Sequence, residues 1–251
     1  EILWSRLIAI ADESAAALVR TSFSTVVRES NDYACALLDA EGNSLADSTI
    51  SIPAFIGTLP RTLRECLKRF PPETLQLGDA ILTNDPWMAT GHLHDFTLVA
   101  PVFHRGKLIA FAGNIAHTPD IGGAMWTAEA RDLFEEGLRV VPAKLMKAGM
   151  LNEELAELIR ANVRVPEQVL GDLHAMVAAA EVCGRRLADL LEEQGMVDLS
   201  ALGGAIRDRA EAAMRAAIQA IPDGEYPFAV ETDGFDWPLT IRIKITVRGS
   251  D

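Results

Sequence analysis

Apolar residues recur at intervals of three and four from the start of the chain. Ile2, Leu3, Leu7, Ile10, Ala11, Leu18 and Val19 predict a helix reaching about Val27. Near the other end the period is two, which predicts a strand over residues 237–247. Ile241, Ile243, Ile245 and Val247 share one face of it, and Arg242, Lys244 and Thr246 share the other. Between these ends, residues 33–38, 77–82, 97–103 and 108–115 read as strands, with turns at 39–43, 84–86 and 104–107. One helix over about 59–70 interrupts them and stops at Pro71-Pro72. Residues 127–221 read as helical. Pro166 suits a first turn, and Val169, Leu170, Leu173, Val177, Ala180, Leu187, Leu190 and Leu191 form one stripe ending at Gly195. A further helix is expected over 200–221, closed by Pro222-Asp223-Gly224. The class is α+β: an N-terminal helix, a β-rich region, a long helical segment and the start of a second β region. The corresponding divisions are 1–126, 127–224 and 225–251, and no internal repeat is evident.

A chain of 251 residues with 49% hydrophobic and 24% charged residues has enough apolar surface for a sizeable core, which excludes disordered and low-complexity classes. Acidic residues outnumber basic ones 36 to 23, and no block of Lys and Arg occurs, so nucleic acid and anionic membrane surfaces are not expected partners. Cys35, Cys66 and Cys183 are odd in number and widely spaced, which argues for buried thiols rather than a disulfide framework or a metal knuckle. With neither a signal peptide nor a long apolar run, a cytoplasmic location is expected. Residue 1 already lies in the helical pattern, and the 237–247 strand is expected to lack a partner. The chain is therefore read as part of a longer protein or of an assembly.

The polar chemistry concentrates in one region. Four of the five histidines lie between positions 92 and 117. Thr83-Asn-Asp-Pro-Trp-Met-Ala-Thr-Gly-His-Leu-His-Asp95 leads into one apolar strand; a turn and a second apolar strand follow, then Ala116-His-Thr-Pro-Asp-Ile-Gly-Gly123. Counting outward from a two-residue tip at Arg105-Gly106 places His117 opposite His94, with Asp95 beside it. Imidazoles and a carboxylate meeting at a ribbon end suit Zn, Mn or Fe and leave positions open for water and substrate. Gly91, Gly122 and Gly123 permit close backbone approach there.

Several segments follow one another in a recognisable order. They are Ser22-Phe-Ser-Thr-Val-Val-Arg-Glu-Ser-Asn-Asp-Tyr33, Asn84-Asp-Pro86, His92-Leu-His-Asp95, His117-Thr-Pro-Asp-Ile-Gly-Gly123 and Ala161-Asn-Val-Arg-Val-Pro166 with Gly171-Asp-Leu173. In these the chain resembles the N-terminal part of the hydantoinase B family, which includes the B half of 5-oxoprolinase and the alpha subunit of acetone carboxylase. The resemblance implies a metal-dependent B-type subunit of a hetero-oligomer, working with an A-type subunit that uses ATP to phosphorylate a carbonyl or enolate oxygen. The substrate would be a small cyclic amide, which is hydrolysed, or a ketone, which is carboxylated. The family's His-Leu-Pro-Asp maps its His and Asp onto His92 and Asp95, and the first His of its His-His-x-Asp-Ile-Gly-Gly maps onto His117. The acidic residue of its Glu-Ser-x-Asp-Phe maps onto Asp32, implying a further ligand or a water-activating carboxylate. Three positions depart from the pattern: His94 stands where the family has Pro, Thr118 where it has a second His, and Phe55 where it commonly has His. On this mapping His94 is not a shared ligand.

Other polar residues have plainer readings. Asp85, between Asn84 and Pro86, is expected to be a turn residue, and Asp120 is only a candidate acceptor for steadying an imidazole, the plainer reading being that it has no such role. His104 and His174 are expected to face solvent or pack, and Trp87 and Trp126 to wall a pocket or pack at its rim. No phosphate-cradling GxxxxGK[ST] loop occurs, so ATP chemistry is expected in another chain. Two other classes remain: a scaffold subunit that has lost its site, and a 2-His-1-carboxylate oxygenase. The oxygenase would want an Arg paired with a late His, and none follows His117.

Overall fold

A computed structural model describes residues 1–124, 127, 129–234 and 236–250. They form two compact units, Glu1–Ala201 and Leu202–Asp251.

The first unit is built on a seven-stranded antiparallel sheet. Its strands are β1 (Tyr33–Asp39), β2 (Ser44–Asp47), β3 (Ala80–Thr83), β4 (Asp95–His104), β5 (Lys107–His117), β6 (Ala143–Lys147) and β7 (Met150–Leu151), in the order β2-β1-β5-β4-β3-β6-β7. The central strands are near-continuous apolar runs because helices cover both faces. Ala36, Leu38, Ile81, Val99, Phe111 and Ile115 meet Leu59, Leu63 and Cys66 of helix α4 (Leu59–Arg69), which follows the short helices α2 (Thr25–Arg28) and α3 (Pro53–Ile56). On the opposite face lie α1 (Ile2–Thr21) and the 29-residue α7 (Pro166–Gln194), which follows α5 (Leu133–Glu136) and α6 (Glu153–Asn162). Ser14 Oγ of α1 donates to Ala179 O, and Asn114 Nδ2 of β5 donates to Met176 O, tying the two helices and the sheet together. The α7 stripe ends where expected. Gly195 is left-handed, and the Met196 N–H donates to Leu191 O at 2.9 Å, satisfying a carbonyl the helix would otherwise orphan.

Two expectations of secondary structure are corrected. Residues 143–151 are not helical but form the β6–β7 hairpin. Ala, Lys, Leu and Met favour helix intrinsically, yet here the sheet decides, because β6 pairs with β3 and Lys144 Nζ donates to Asp79 Oδ2 at 2.6 Å. The hairpin turns at Ala148-Gly149, both at positive φ. The strand expected from residue 77 starts only at Ala80, because Gly78 (φ +84°) packs so tightly on the hairpin that a Cβ there would lie 2.5 Å from Gly149 N.

The second unit holds most of α8 (Ser200–Gln219) and a hairpin of β8 (Gly224–Thr232) with β9 (Leu239–Val247). β9 has the alternation the sequence predicts but does not lack a partner: β8 pairs with it from Gly224↔Val247 to Thr232↔Leu239. Tyr226, Phe228 and Val230 lie opposite Ile245, Ile243 and Ile241, and all six are exposed.

Candidate metal centre

Antiparallel pairing brings the start of β1, the end of β5, the start of β4 and the end of β3 to one end of the sheet. The β4–β5 hairpin turns at Arg105-Gly106 as expected, both at positive φ. The expected register nevertheless fails by one residue. Phe103 pairs with Leu108 but Val102 pairs with Ala110, so Ile109 bulges out of the ladder. From there outward His117 faces Asp95, not His94. The neighbouring strand adds Asp32, whose carbonyl accepts from the His117 N–H at 3.0 Å.

Asp95 is fully buried, and both its oxygens are engaged. His92 Nε2 lies 2.7 Å from Oδ2 and His117 Nδ1 lies 2.9 Å from Oδ1. Burial alone would raise the Asp95 pKa, but the hydrogen bonds from His117 and His92 outweigh it and hold the carboxyl well below the ordinary range. The same bond raises the His92 pKa against the effect of its partial burial. Asp32 Oδ2 stands 3.8 Å from His117 Nδ1, too far for a hydrogen bond. Partial burial raises the Asp32 pKa, with Asp95 adding to the effect and His117 opposing it. The four residues that the sequence singles out, Asp32, His92, Asp95 and His117, therefore occupy one cluster.

The loop between β3 and β4 shapes this end of the sheet. Asn84 is buried. Its Nδ2 donates to Leu93 O (2.8 Å) and Leu138 O (2.9 Å), and its Oδ1 accepts from the Val140 N–H. Leu93 is buried completely, which pins the backbone between His92 and His94. His94 thus joins the cluster: its ring centroid lies 5.8 Å from that of His92 and 5.4 Å from that of His117. Burial, with the two neighbouring imidazoles, lowers its pKa. Glu136, at the end of α5, completes the group. Its Oε1 accepts from the Leu93 N–H at 2.7 Å and lies 3.6 Å from His94 Nδ1. No spacing in the sequence pointed to Glu136, which reaches the site from 41 residues beyond Asp95 through an α5 capped by Asp132.

The surrounding residues mostly have structural roles. Asp85 accepts from the Trp87 N–H and pairs with Arg139, as befits a turn. Asp120 contacts no imidazole among the described residues. It accepts from the backbone N–H groups of Gly122, Arg164 and Val165 and from Arg164 Nη1, clamping the loop after His117 to the start of α7. Gly122 and Gly123 in that loop meet backbone so closely that a Cβ would come within 2.4 Å of Asn162 O or 2.5 Å of Glu135 O. Phe55 packs against the α4 face of the core. His174 faces solvent, whereas His104 is buried. Trp87 is exposed, and Trp126 lies outside the described residues. The three cysteines are free and buried, with burial pushing the Cys35 and Cys66 thiols up to about 12. Among the described residues no helix is long and apolar enough to cross a membrane.

The donor chemistry fits a divalent ion. One ligand atom each from His92, Asp95 and His117 lie within 4.8 Å of one another, and so do one each from His92, His94 and Glu136. Two imidazoles with a carboxylate suit Zn, Mn or Fe, and Asp95 is kept in the ionised state that a ligand requires.

The chain is similar to known proteins over its whole length. A B-type component provisionally named for a D-/L-hydantoinase, from Pseudomonas sp. (strain NS671), is 33% identical over 96% of this chain and 43% of its own length. The crystal structure of ATP-dependent caprolactamase from Pseudomonas jessenii superimposes with a TM-score of 0.90 at 30% identity, covering 100% of this chain and 44% of that one. The nucleotide-free structure of acetone carboxylase shares the fold, with a TM-score of 0.84 at 20% identity over 99% of this chain and 35% of that one. The chain thus spans less than half the length of the relatives it matches. The hydantoinase B/oxoprolinase family model matches residues 1–251, and the chain belongs to that family.

Proposed function

We propose that this chain carries the metal centre of a B-type subunit in an ATP-dependent complex that opens small cyclic amides. The observation that carries the reading is the buried Asp95 carboxylate bridging His92 and His117, with Asp32 beside it. His92, Asp95 and His117 would hold a divalent ion, Zn, Mn or Fe, which when bound supplies Lewis acidity toward a substrate oxygen or water. Asp32 stands apart from the Asp95 hydrogen bonds, is partly open to solvent, and has a raised pKa. It is suited to take the proton from the attacking water and pass it to the departing amide nitrogen.

ATP enters through an A-type partner, because this sequence has no phosphate-cradling loop of its own. The partner transfers a phosphoryl group to the amide oxygen, which weakens the C–N bond toward water. In the balanced reaction ATP, two water molecules and the cyclic amide give ADP, phosphate and the ring-opened carboxylic acid that carries the freed nitrogen. A cyclic amide is favoured over ketone carboxylation because the matches at 30% identity or more whose names state an activity are a hydantoinase and a caprolactamase, whereas acetone carboxylase is 20% identical. A cytoplasmic hetero-oligomer is the corresponding assembly. The test is ring opening of hydantoin, caprolactam and 5-oxoproline by the complete complex with ATP, before and after chelation. ATP-dependent opening of one of them, lost on chelation and restored by a divalent ion, is expected. Opening that survives complete metal removal refutes the metal's role, and a complex without metal or turnover is a scaffold.

A further inference from the structure

His94 and Glu136 lie beside the proposed centre, yet neither side chain is hydrogen-bonded to Asp95 among the described residues. The His94 side chain is 8% exposed, and its Nε2 is buried without a hydrogen-bond partner among the described residues. Its other nitrogen, Nδ1, is 3.6 Å from Glu136 Oε1, beyond hydrogen-bond distance. That separation is close to the roughly 3.3 Å between two ligand atoms that share a tetrahedral ion at about 2.0–2.1 Å. The carboxylate is already aimed, since Oε1 accepts from the Leu93 N–H at 2.7 Å. His92 belongs to both groups of convergent ligands; a neutral imidazole offers one lone pair, so His92 serves both ions only by releasing its remaining N–H proton to solvent as they bind.

We propose that His92, His94 and Glu136 form a second divalent-cation position beside the one held by His92, Asp95 and His117. The inference rests on the metal-centre reading and extends it to a pair of ions sharing one imidazole. A two-ion centre places positive charge on both sides of a reacting group, which suits a substrate carrying a phosphoryl oxygen as well as an attacking water.

The test is equilibrium dialysis of the complete protein, first stripped by chelator, against micromolar free Zn²⁺, with metal counted by elemental analysis. Wild type should hold two zinc ions. His94→Asn and Glu136→Gln should each hold one, His117→Asn should also hold one, and His92→Asn should hold neither. The ion retained by each single-site variant shows that the variant is folded. One zinc in wild type, lost with His117→Asn but unaffected by His94→Asn and Glu136→Gln, overturns the second position while leaving the first intact. Loss of both ions in either His94→Asn or Glu136→Gln overturns it too, because the positions would then not be separable. A wild-type protein without zinc overturns both positions.

Discussion

Asp120→Asn removes one charge from a buried clamp and nothing from the surface. Asp120 is 1% exposed; Oδ1 accepts from the Gly122 N–H at 2.9 Å and Arg164 Nη1 at 3.1 Å, and Oδ2 accepts from the N–H groups of Arg164 and Val165. Asparagine is nearly isosteric, but whichever way its amide turns, its NH₂ faces two donors. At least two hydrogen bonds to a charged acceptor are lost, each worth about 1.5–3 kcal/mol, and two N–H groups are left facing a donor. The Arg164 side chain is half exposed, so its share is discounted. The expected loss is about 3–5 kcal/mol at pH 7, by analogy with breaking a buried charged pair. For a unit of this size that lowers the unfolding midpoint by roughly 6–20 °C, at about 2–4 °C per kcal/mol. Burial pushes the Asp120 pKa up, but the backbone donors outweigh burial and depress it. Its stabilisation is thus fully present above the unfolded value of about 3.9 and disappears as pH falls through the lower folded value. Urea unfolding of the first unit at pH 7 and at pH 3 measures both effects. A loss under 1 kcal/mol at pH 7, or a gap between wild type and variant that widens on acidification, would refute the reasoning.

Gly78→Ala should destabilise the protein by about 2 kcal/mol or more, since a residue with a Cβ would have to adopt positive φ and push away Gly149. Thermal unfolding checks this, and an unchanged midpoint would show that the β6–β7 hairpin can move aside. Cys35 and Cys66, buried with thiols pushed up to about 12, should resist a thiol-reactive dye at pH 8 in the native protein. They should react at once in denaturant; fast native reaction would mean that the core opens locally.

The sequence carried much of this architecture, and the exceptions share a physical cause. β1, β4 and β5 were legible because both of their faces are buried, so each is an apolar run bounded by turn residues. α7 was legible because its stripe, Pro166 and Gly195 all agree. The β6–β7 hairpin was hidden because its residues favour helix and only pairing with β3 makes them extended. The meeting of His92, Asp95 and His117 followed from the hairpin and the motif together. The actual facing pair did not, because the bulge at Ile109 lies among ordinary apolar residues with no glycine to mark it. That single extra residue exchanges His94 for Asp95 opposite His117. Glu136 and the placement of His94 in the cluster depend on tertiary contacts from α5 and Leu93, which no local pattern encodes.

The most direct measurement of the central claim is anomalous X-ray scattering from crystals of the complete protein, at the absorption edge of whichever divalent metal co-purifies with it. A peak is expected within about 2.0–2.2 Å of one nitrogen each of His92 and His117 and one Asp95 oxygen, if the metal is zinc. It should vanish in His117→Asn with the surrounding chain unchanged. Metal bound only away from these three residues, or this same peak persisting unchanged in His117→Asn, would contradict the account.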